Sequence, residues 1–402
     1  MKQNRKNRWQ SIALLLGVLS VCACTKVDQP TDNRSQGNII SFSKPILQPV
    51  STLTKAQAGV VSDQYNPNER FRVFAQWDQF GFLHWGEVGQ NGVASAPYLD
   101  GVTTRYDDVL DGWITCDESG NPTPYEWPLS GVLTFAAYSP ADLVPTHASE
   151  ADYGRTMVEG IEHSGLKIKG FKVNRNIEEQ IDLMYGKRSY NKRSSASDRT
   201  SPTYHGVDLV FHHALSLINF RFHLDHANGR EVYLNKLTLS DASIEGDFHE
   251  WIYESEANPD SYLSDNNHRK WDAVNVNAGS GIVFTIFEAK TQAEEVKLEE
   301  ITDSTPPFMT HPLMMIPQRF AQSVGPGGAI LDAPDARIEI VLRMQDHSLQ
   351  TTSFPLKDLS ASWQAGKSYT YTVSVGATAI EFQPGISEWG TNGTEDVIVN
   401  PS

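Results

Sequence analysis

The strictest constraint on this chain is a two-residue hydrophobic period that recurs in short runs and never gives way to a helical one. In "FRVFAQWD" (71–78), Phe71, Val73, Ala75 and Trp77 share one face, and Arg72, Gln76 and Asp78 the other. Successive side chains of an extended chain point to opposite faces, so this spacing predicts a half-buried strand. "IISFSKPIL" (39–47), "GVLTFAAYSP" (131–140), "DLMYGK" (182–187), "VDLVFHH" (207–213) and "INFRFHL" (218–224) read the same way. So do "VYLNKLTLS" (232–240), "HPLMMIPQ" (311–318), "RIEIVLRMQ" (337–345) and "YTYTVSV" (369–375). Gly-Asn-Pro, Asn-Gly, Pro-Gly-Gly and Ser-Pro turn signals separate these runs. "AQAGVVSDQ" and "SWQAG" offer single helical turns at most. Crossover helices are missing, which disfavours a parallel α/β sheet, and many short strands point to an all-β fold of sandwiches or barrels.

The N-terminus addresses the chain outside the cytoplasm. Lys2, Arg5, Lys6 and Arg8 form a cationic start, followed by the 13-residue apolar run "SIALLLGVLSVCA". That run is too short to span a bilayer, which takes about 20 residues, and the layout is that of a signal peptide over residues 1–23. It ends Val21-Cys22-Ala23-Cys24, which resembles a lipobox. Cleavage is expected between Ala23 and Cys24, with Cys24 lipidated; an ordinary signal peptide cut nearby is the alternative. Residues 24–38 are polar and aperiodic, as in a flexible tether.

With residues 1–23 removed and Cys24 lipidated, one thiol remains in the folded part, Cys116, so no disulfide framework is expected and core burial must hold the fold. The remaining 379 residues suffice for two domains, and a break is expected at the polar turn "DHANGRE" (225–231), giving domains over 39–227 and 228–402. "KRSYNKRSSASDR" (187–199) reads as an exposed, protease-sensitive loop. The signal segment carries four basic and no acidic groups, so the net charge of −16 becomes −20 without it. Such an acidic surface disfavours nucleic acid or bare anionic lipid as a partner.

Catalytic motifs are sought without success. "AGKS" (365–368) ends like a phosphate-binding loop, but Ala361 stands where the motif needs glycine, and a strand follows where it needs a helix. "DDVLDG" (107–112) lacks the alternate acidic spacing of a calcium loop and reads as an acidic turn. No nucleophile elbow, His-Glu-x-x-His helix or Cys-x-x-Cys pair occurs. Trp77, Trp85, Trp113, Trp127, Trp363 and Trp389 offer a sugar platform, although sandwich cores use buried aromatics for ordinary packing.

Five of the twelve histidines crowd "YHGVDLVFHHALSLINFRFHLDH" (204–226). Imidazole is a common metal ligand, yet strand alternation separates these rings. His212 and His213 are adjacent and project to opposite faces, His223 lies beside Arg221, and His226 sits in a turn. His205 joins His213 only if the strand extends back through "YHG". No metal, cofactor or catalytic site is therefore expected. The apolar residues Leu209, Phe211, Ile218, Phe220 and Phe222 read as strands closing the first domain's core.

The lipobox, "IISFS", "FRVFAQWD", "LTFAAYSP", "DLMYGK", "VDLVFHHALSLINFRF", "MMIPQ" and "LSASWQAGKSYTYTVSVGATAIEFQPGISEWG" together resemble the fimbrillin family of Bacteroidales, lipoprotein subunits of type V pili and related cell-adhesion proteins. The resemblance spans residues 39–390. It implies two tandem β-sandwich domains of transthyretin-like topology and a surface-exposed lipoprotein at the outer membrane. It also implies assembly with other fimbrial subunits by strand exchange, a protease removing the first strand after a basic residue. Here "IISFSKPIL" is the candidate removable strand, and Lys55 or Arg70 the candidate cut site. The tail "TEDVIVNPS" (394–402) is either a donor strand or a frayed end. His213 falls where the family pattern has its histidine and is expected to hold a backbone or strand contact. Three alternatives stay open: an anchor, cap or adhesin that is never cleaved, a surface glycan-binding lipoprotein that does not polymerise, and, third, a secreted hydrolase, which needs convergent carboxylates in a cleft.

Overall fold

The computed structural model describes residues 39–48, 65–78, 96–143, 157–162, 165–191, 206–225, 230–250, 271–272, 281–299, 312–320, 333–376 and 379–389. All lie within one compact unit, Gly37–Ser402. The described residues hold strands and single 3-10 turns (Ile177–Glu179, Gln292–Glu294 and Leu356–Asp358) and no α-helix. None of them forms a helix long and apolar enough to cross a membrane. The alternation read from the sequence is realised as an all-β sandwich fold.

The chain opens with β1 (Ser41–Phe42) and β2 (Ile46–Gln48), then β3 (Arg72–Asp78), β4 (Ala96–Asp107), β5 (Gly112–Cys116) and β6 (Val132–Ser139). β7 (Met157–Glu162) and β8 (Gly165–Lys172) depart to another sheet, and β9 (Met184–Asn191) and β10 (Val210–His213) return to the first. The resulting eight strands run in the order β1-β5-β4-β3-β6-β9-β10-β2. Both ends of this sheet therefore come from one ten-residue segment. Its inner face gathers Phe42, Phe71, Val73, Trp113, Phe135 and Phe211 into an aromatic core. Phe74, Ala136, Tyr138 and Tyr185 point out of the opposite face into a second core. β6 is consequently buried on both faces, and β3 has Phe74 buried among polar neighbours. β4 escaped detection because Pro97 and Gly101 interrupt its alternation, and the β3–β4 ladder shifts register on either side of Ala75.

β11 (Ser216–Leu224) begins three residues after β10 but belongs to a different sheet. The C-terminal half adds β12 (Tyr233–Ser240), β13 (Glu245–His249), β14 (Trp271–Asp272), β15 (Val283–Glu288), β16 (Val296–Lys297), β17 (Leu313–Met315) and β18 (Gln318–Arg319). It ends with β19 (Arg337–Arg343), β20 (Leu349–Pro355), β21 (Ser362–Trp363), β22 (Lys367–Val375) and β23 (Ile380–Glu388). One sheet runs β17-β11-β22-β23 and another β15-β12-β19-β20. They share a core in which Phe220 stacks on Tyr371 with centroids 5.5 Å apart, and Phe354 meets Phe382 at 4.4 Å. A further sheet, β14-β13-β8-β7, joins strands from both halves of the sequence.

Two expectations are corrected. Ile218, Phe220 and Phe222 do not close a core beside Leu209 and Phe211: β11 pairs in parallel with β22, from Leu217↔Ser368 to Leu224↔Val375. The chain changes sheets at Ala214–Leu215, because the full eight-residue ladder on β22 satisfies more backbone than continuing beside β10 could. "SWQAG" forms β21 and a turn, held by pairing with β18, and no helical turn. The expectation against a parallel α/β sheet stands; two local parallel pairs, β11–β22 and β10–β2, occur within the all-β fold.

Candidate functional site

Residues 39–48 make the most unusual structural element of the chain. Ile40 and Phe42 alternate inward and are fully buried, Leu47 is buried, and Lys44 and Ile46 face solvent. On one side β1 runs antiparallel to β5, with Ser41 opposite Ile114 and Phe42 opposite Trp113. The Ile40 N–H also donates to the Tyr125 carbonyl at 2.8 Å. On the other side the same residues run parallel to 207–212. Val207 N–H donates to the Ser41 carbonyl (2.8 Å), Ser43 N–H to the Val207 carbonyl (3.1 Å) and Ile46 N–H to the Leu209 carbonyl (3.0 Å). The Ser43 hydroxyl donates to the Asp208 carboxylate. Among the described residues, this segment alone bridges these two edges of the sheet.

The Phe42 ring sits edge-on to Phe71 and Phe135, with centroids 5.7 and 5.6 Å away. Tyr65 packs behind them on Phe211, Phe71 and Trp113, its hydroxyl 2.8 Å from Ser139 Oγ; burial pushes the phenol far above its ordinary range. Burying Ile40, Phe42 and Leu47 contributes roughly 1.5–3 kcal/mol each. The backbone at Phe42 passes between two glycines. A Cβ on Gly112 would lie 2.7 Å from the Phe42 carbonyl oxygen, and one on Gly206 2.5 Å from the Ser43 nitrogen. Gly206 also has φ +119°, open to glycine and strained for other residues.

A second cluster lies where the chain changes sheets. Both oxygens of the buried Asp182 lie 3.0 Å from His213 Nδ1, and the imidazole stacks on Trp389 at 4.1 Å with planes 3° apart. The expectation of a backbone or strand contact for His213 is corrected: its partners are a carboxylate and an indole from distant parts of the chain. Glu69 carries a buried Oε2 with no hydrogen-bond partner; burial pushes its carboxyl up to about 7, and the Asp182 charge adds to the rise. His212 points away from His213 and stacks on Tyr185, and His223 donates to the Leu224 carbonyl at 3.2 Å. His205 and His226 lie outside the described residues. Among the described residues no three His, Cys, Asp or Glu side chains converge as a metal site. Cys116 is buried, which raises its thiol.

Of the tryptophans proposed as a sugar platform, Trp113, Trp127, Trp363 and Trp389 are buried. Trp77 is half-buried, its Nε1–H donating to the Ser130 carbonyl at 2.9 Å. Trp85 lies outside the described residues, as do Ala23, Cys24, Lys55 and the 394–402 tail. Arg70 is described: its guanidinium meets Asp142 at 3.3 Å, its carbonyl accepts from Ala141 N–H at 2.8 Å, and Phe71 beside it is fully buried.

The fold and the site define an all-β sandwich protein in which residues 39–48 pair with both β5 and β10. The family model for fimbrillin-like proteins matches residues 73–389, and the chain belongs to that family. Among solved structures it is similar to a fimbrial protein from Bacteroides vulgatus, at 15% identity over 88% of this chain and 99% of that one, with a TM-score of 0.44. It is likewise similar to a protein described as a cell adhesion protein from Bacteroides ovatus, at 17% identity over 87% and 97%, TM-score 0.45. A tip fimbrial protein from Porphyromonas gingivalis matches at 8% identity over 87% and 98%, TM-score 0.37. Comparison with curated protein sequences gives no match. A cell-surface location and association with other fimbrial subunits go with the family.

Proposed function

We propose that this chain is a fimbrial subunit or accessory fimbrillin, a structural and adhesive protein without catalytic activity, anchored at the outer membrane through a lipid on Cys24. Two tandem β-sandwiches of transthyretin-like topology, expected over 39–227 and 228–402, belong to the same reading. The observation that carries it is the two-sided pairing of residues 39–48: the strand is short, fully integrated into a core, and joined to the body only through 49–64. Cutting that connection lets another subunit's strand replace it, main-chain hydrogen bonds supplying affinity and side-chain pockets supplying register. An unfilled slot exposes unpaired backbone and aromatic core, and this cost drives capture of a donor.

Lys55 suits the cut better than Arg70. Cleavage at 55 leaves Tyr65 on the body, where it completes the aromatic core, whereas Arg70 has its carbonyl hydrogen-bonded and its neighbour buried. The test is treatment of purified protein with a lysine- or arginine-specific protease. Ladders that resist mild heating in detergent are expected, with Lys55→Ala preventing them and Arg70→Ala leaving them intact. Protein that stays monomeric after the cut overturns the polymerising role. The burial of four of the six candidate tryptophans removes the main support for a glycan platform.

A further inference from the structure

We propose that Gly112 and Gly206 gauge the main chain entering the slot, so that it admits only an extended segment of one direction and one pattern. The pattern is apolar, any, large apolar, small, any, proline, any, apolar, entering in the direction of residues 39–48. This rests on the strand-exchange reading and specifies the partner that reading requires.

Three observations carry it. First, the walls close on the occupant's backbone from both sides at one residue, Phe42, with less room than a methyl group needs. Side chains cannot be read by glycine, but the depth and height of the entering main chain can. Second, the pairing steps from Phe42↔Val207 to Ile46↔Val210, so four residues of the occupant span three of the wall. Pro45, buried and without an N–H, takes up the extra residue, while the N–H groups of Ser43 and Ile46 bond on either side of it. Third, the pockets have a fixed order. Phe42 fits between Phe71 and Phe135, Leu47 follows beyond the bulge, and Ile46 is 45% exposed and free to vary. A strand of opposite direction would meet these pockets and the bulge in reverse, and would trade the antiparallel ladder on β5 and the parallel one on β10 for each other. At position 43 the serine hydroxyl donates to the Asp208 carboxylate, a bond that a larger apolar residue would lose.

The experiment uses the full chain cut after Lys55, with the freed strand stripped in denaturant and removed. The probe is a fluorescent synthetic peptide of sequence NIISFSKPILQ, residues 38–48. The wild-type body is expected to bind it, and to bind the reversed sequence, or a peptide carrying Ser43→Leu, at least tenfold more weakly. Gly112→Ala in the body is expected to weaken the peptide at least tenfold while leaving the thermal midpoint of the stripped body unchanged, because an empty slot offers the new methyl nothing to strike. Gly206→Ala is expected to act in the same direction. Equal binding of the forward and reversed peptides, or of the forward peptide to wild type and Gly112→Ala, overturns the gauge while exchange itself stands. Failure of the wild-type body to bind any of these peptides overturns the exchange reading and the gauge with it.

Discussion

The two hydrophobic cores bury similar kinds of residue and close in opposite ways. The larger core closes on long ladders: β11 meets β22 over eight residue pairs and β22 meets β23 over nine, none interrupted by a bulge. The aromatic core closes on β1 and β2, two and three residues long, which reach their partners on either side of Pro45. Each arrangement satisfies the sheet edges. On the strand-exchange proposal, the aromatic core depends on residues 39–48 for part of its stability, whereas the β11-β22-β23 sheet holds its ladders without them.

The comparison breaks most sharply in the cores. Phe220→Ala is expected to cost about 3–5 kcal/mol, as large-to-small changes in packed cores do, in the intact and the strand-stripped protein alike. Phe42→Ala should cost a similar amount in the intact chain and nothing once the strand is gone. Denaturant unfolding before and after cleavage at Lys55 measures both, and a Phe42 effect that persists in the stripped protein would erase the distinction.

The junction comes next. His213→Ala leaves Asp182 buried without its partner and is expected to cost about 3–5 kcal/mol; replacing both by leucine should restore most of it. A single-variant loss below about 1 kcal/mol would mean that the pair is not a structural link.

A smaller effect is expected from pH. Glu69 has a folded-state value of about 7, raised by burial and by Asp182 above the value of an unfolded carboxyl, so the folded protein holds the extra proton between about pH 4.5 and 7. Stability is therefore full below that window and is lost as pH rises through it. Thermal midpoints of the wild type should fall across this range, and Glu69→Gln should flatten the slope; an unchanged slope rejects the assignment. The smallest effect is expected at the exposed Lys236–Glu288 pair of β12 and β15, 2.8 Å apart, where Lys236→Ala should cost below about 1 kcal/mol in either form of the protein.

Much of the fold was legible because period-2 alternation is a local signal. Strands around Val73, Phe135, Phe211, Phe220, Ile338 and Tyr371 all announce themselves in single runs. β20 did not, since an exposed edge strand of "LQTTSFP" has no apolar face to display, and β4 hid behind its proline and glycine. The candidate strand at 39–47 was legible as a strand, but its two-sided pairing was not. Nothing local in Gly112 or Gly206 marks them as the walls of a slot, because their role depends on Phe42, which lies seventy residues and more away in sequence. His213 stood out as one of a crowd of histidines, and its real partners, Asp182 and Trp389, carry no spacing that links them to it.

By itself the sequence determined the all-β class and the strand-by-strand division of apolar and polar faces, because each follows from residue types a few positions apart. Only the tertiary structure decided which strands are neighbours. It sent β11 to β22 in place of β10, stacked His213 on Trp389, and seated residues 39–48 between two sheet edges. Pairing depends on backbone hydrogen bonds, which every residue but proline offers alike, so the choice among partners falls to packing across the whole core.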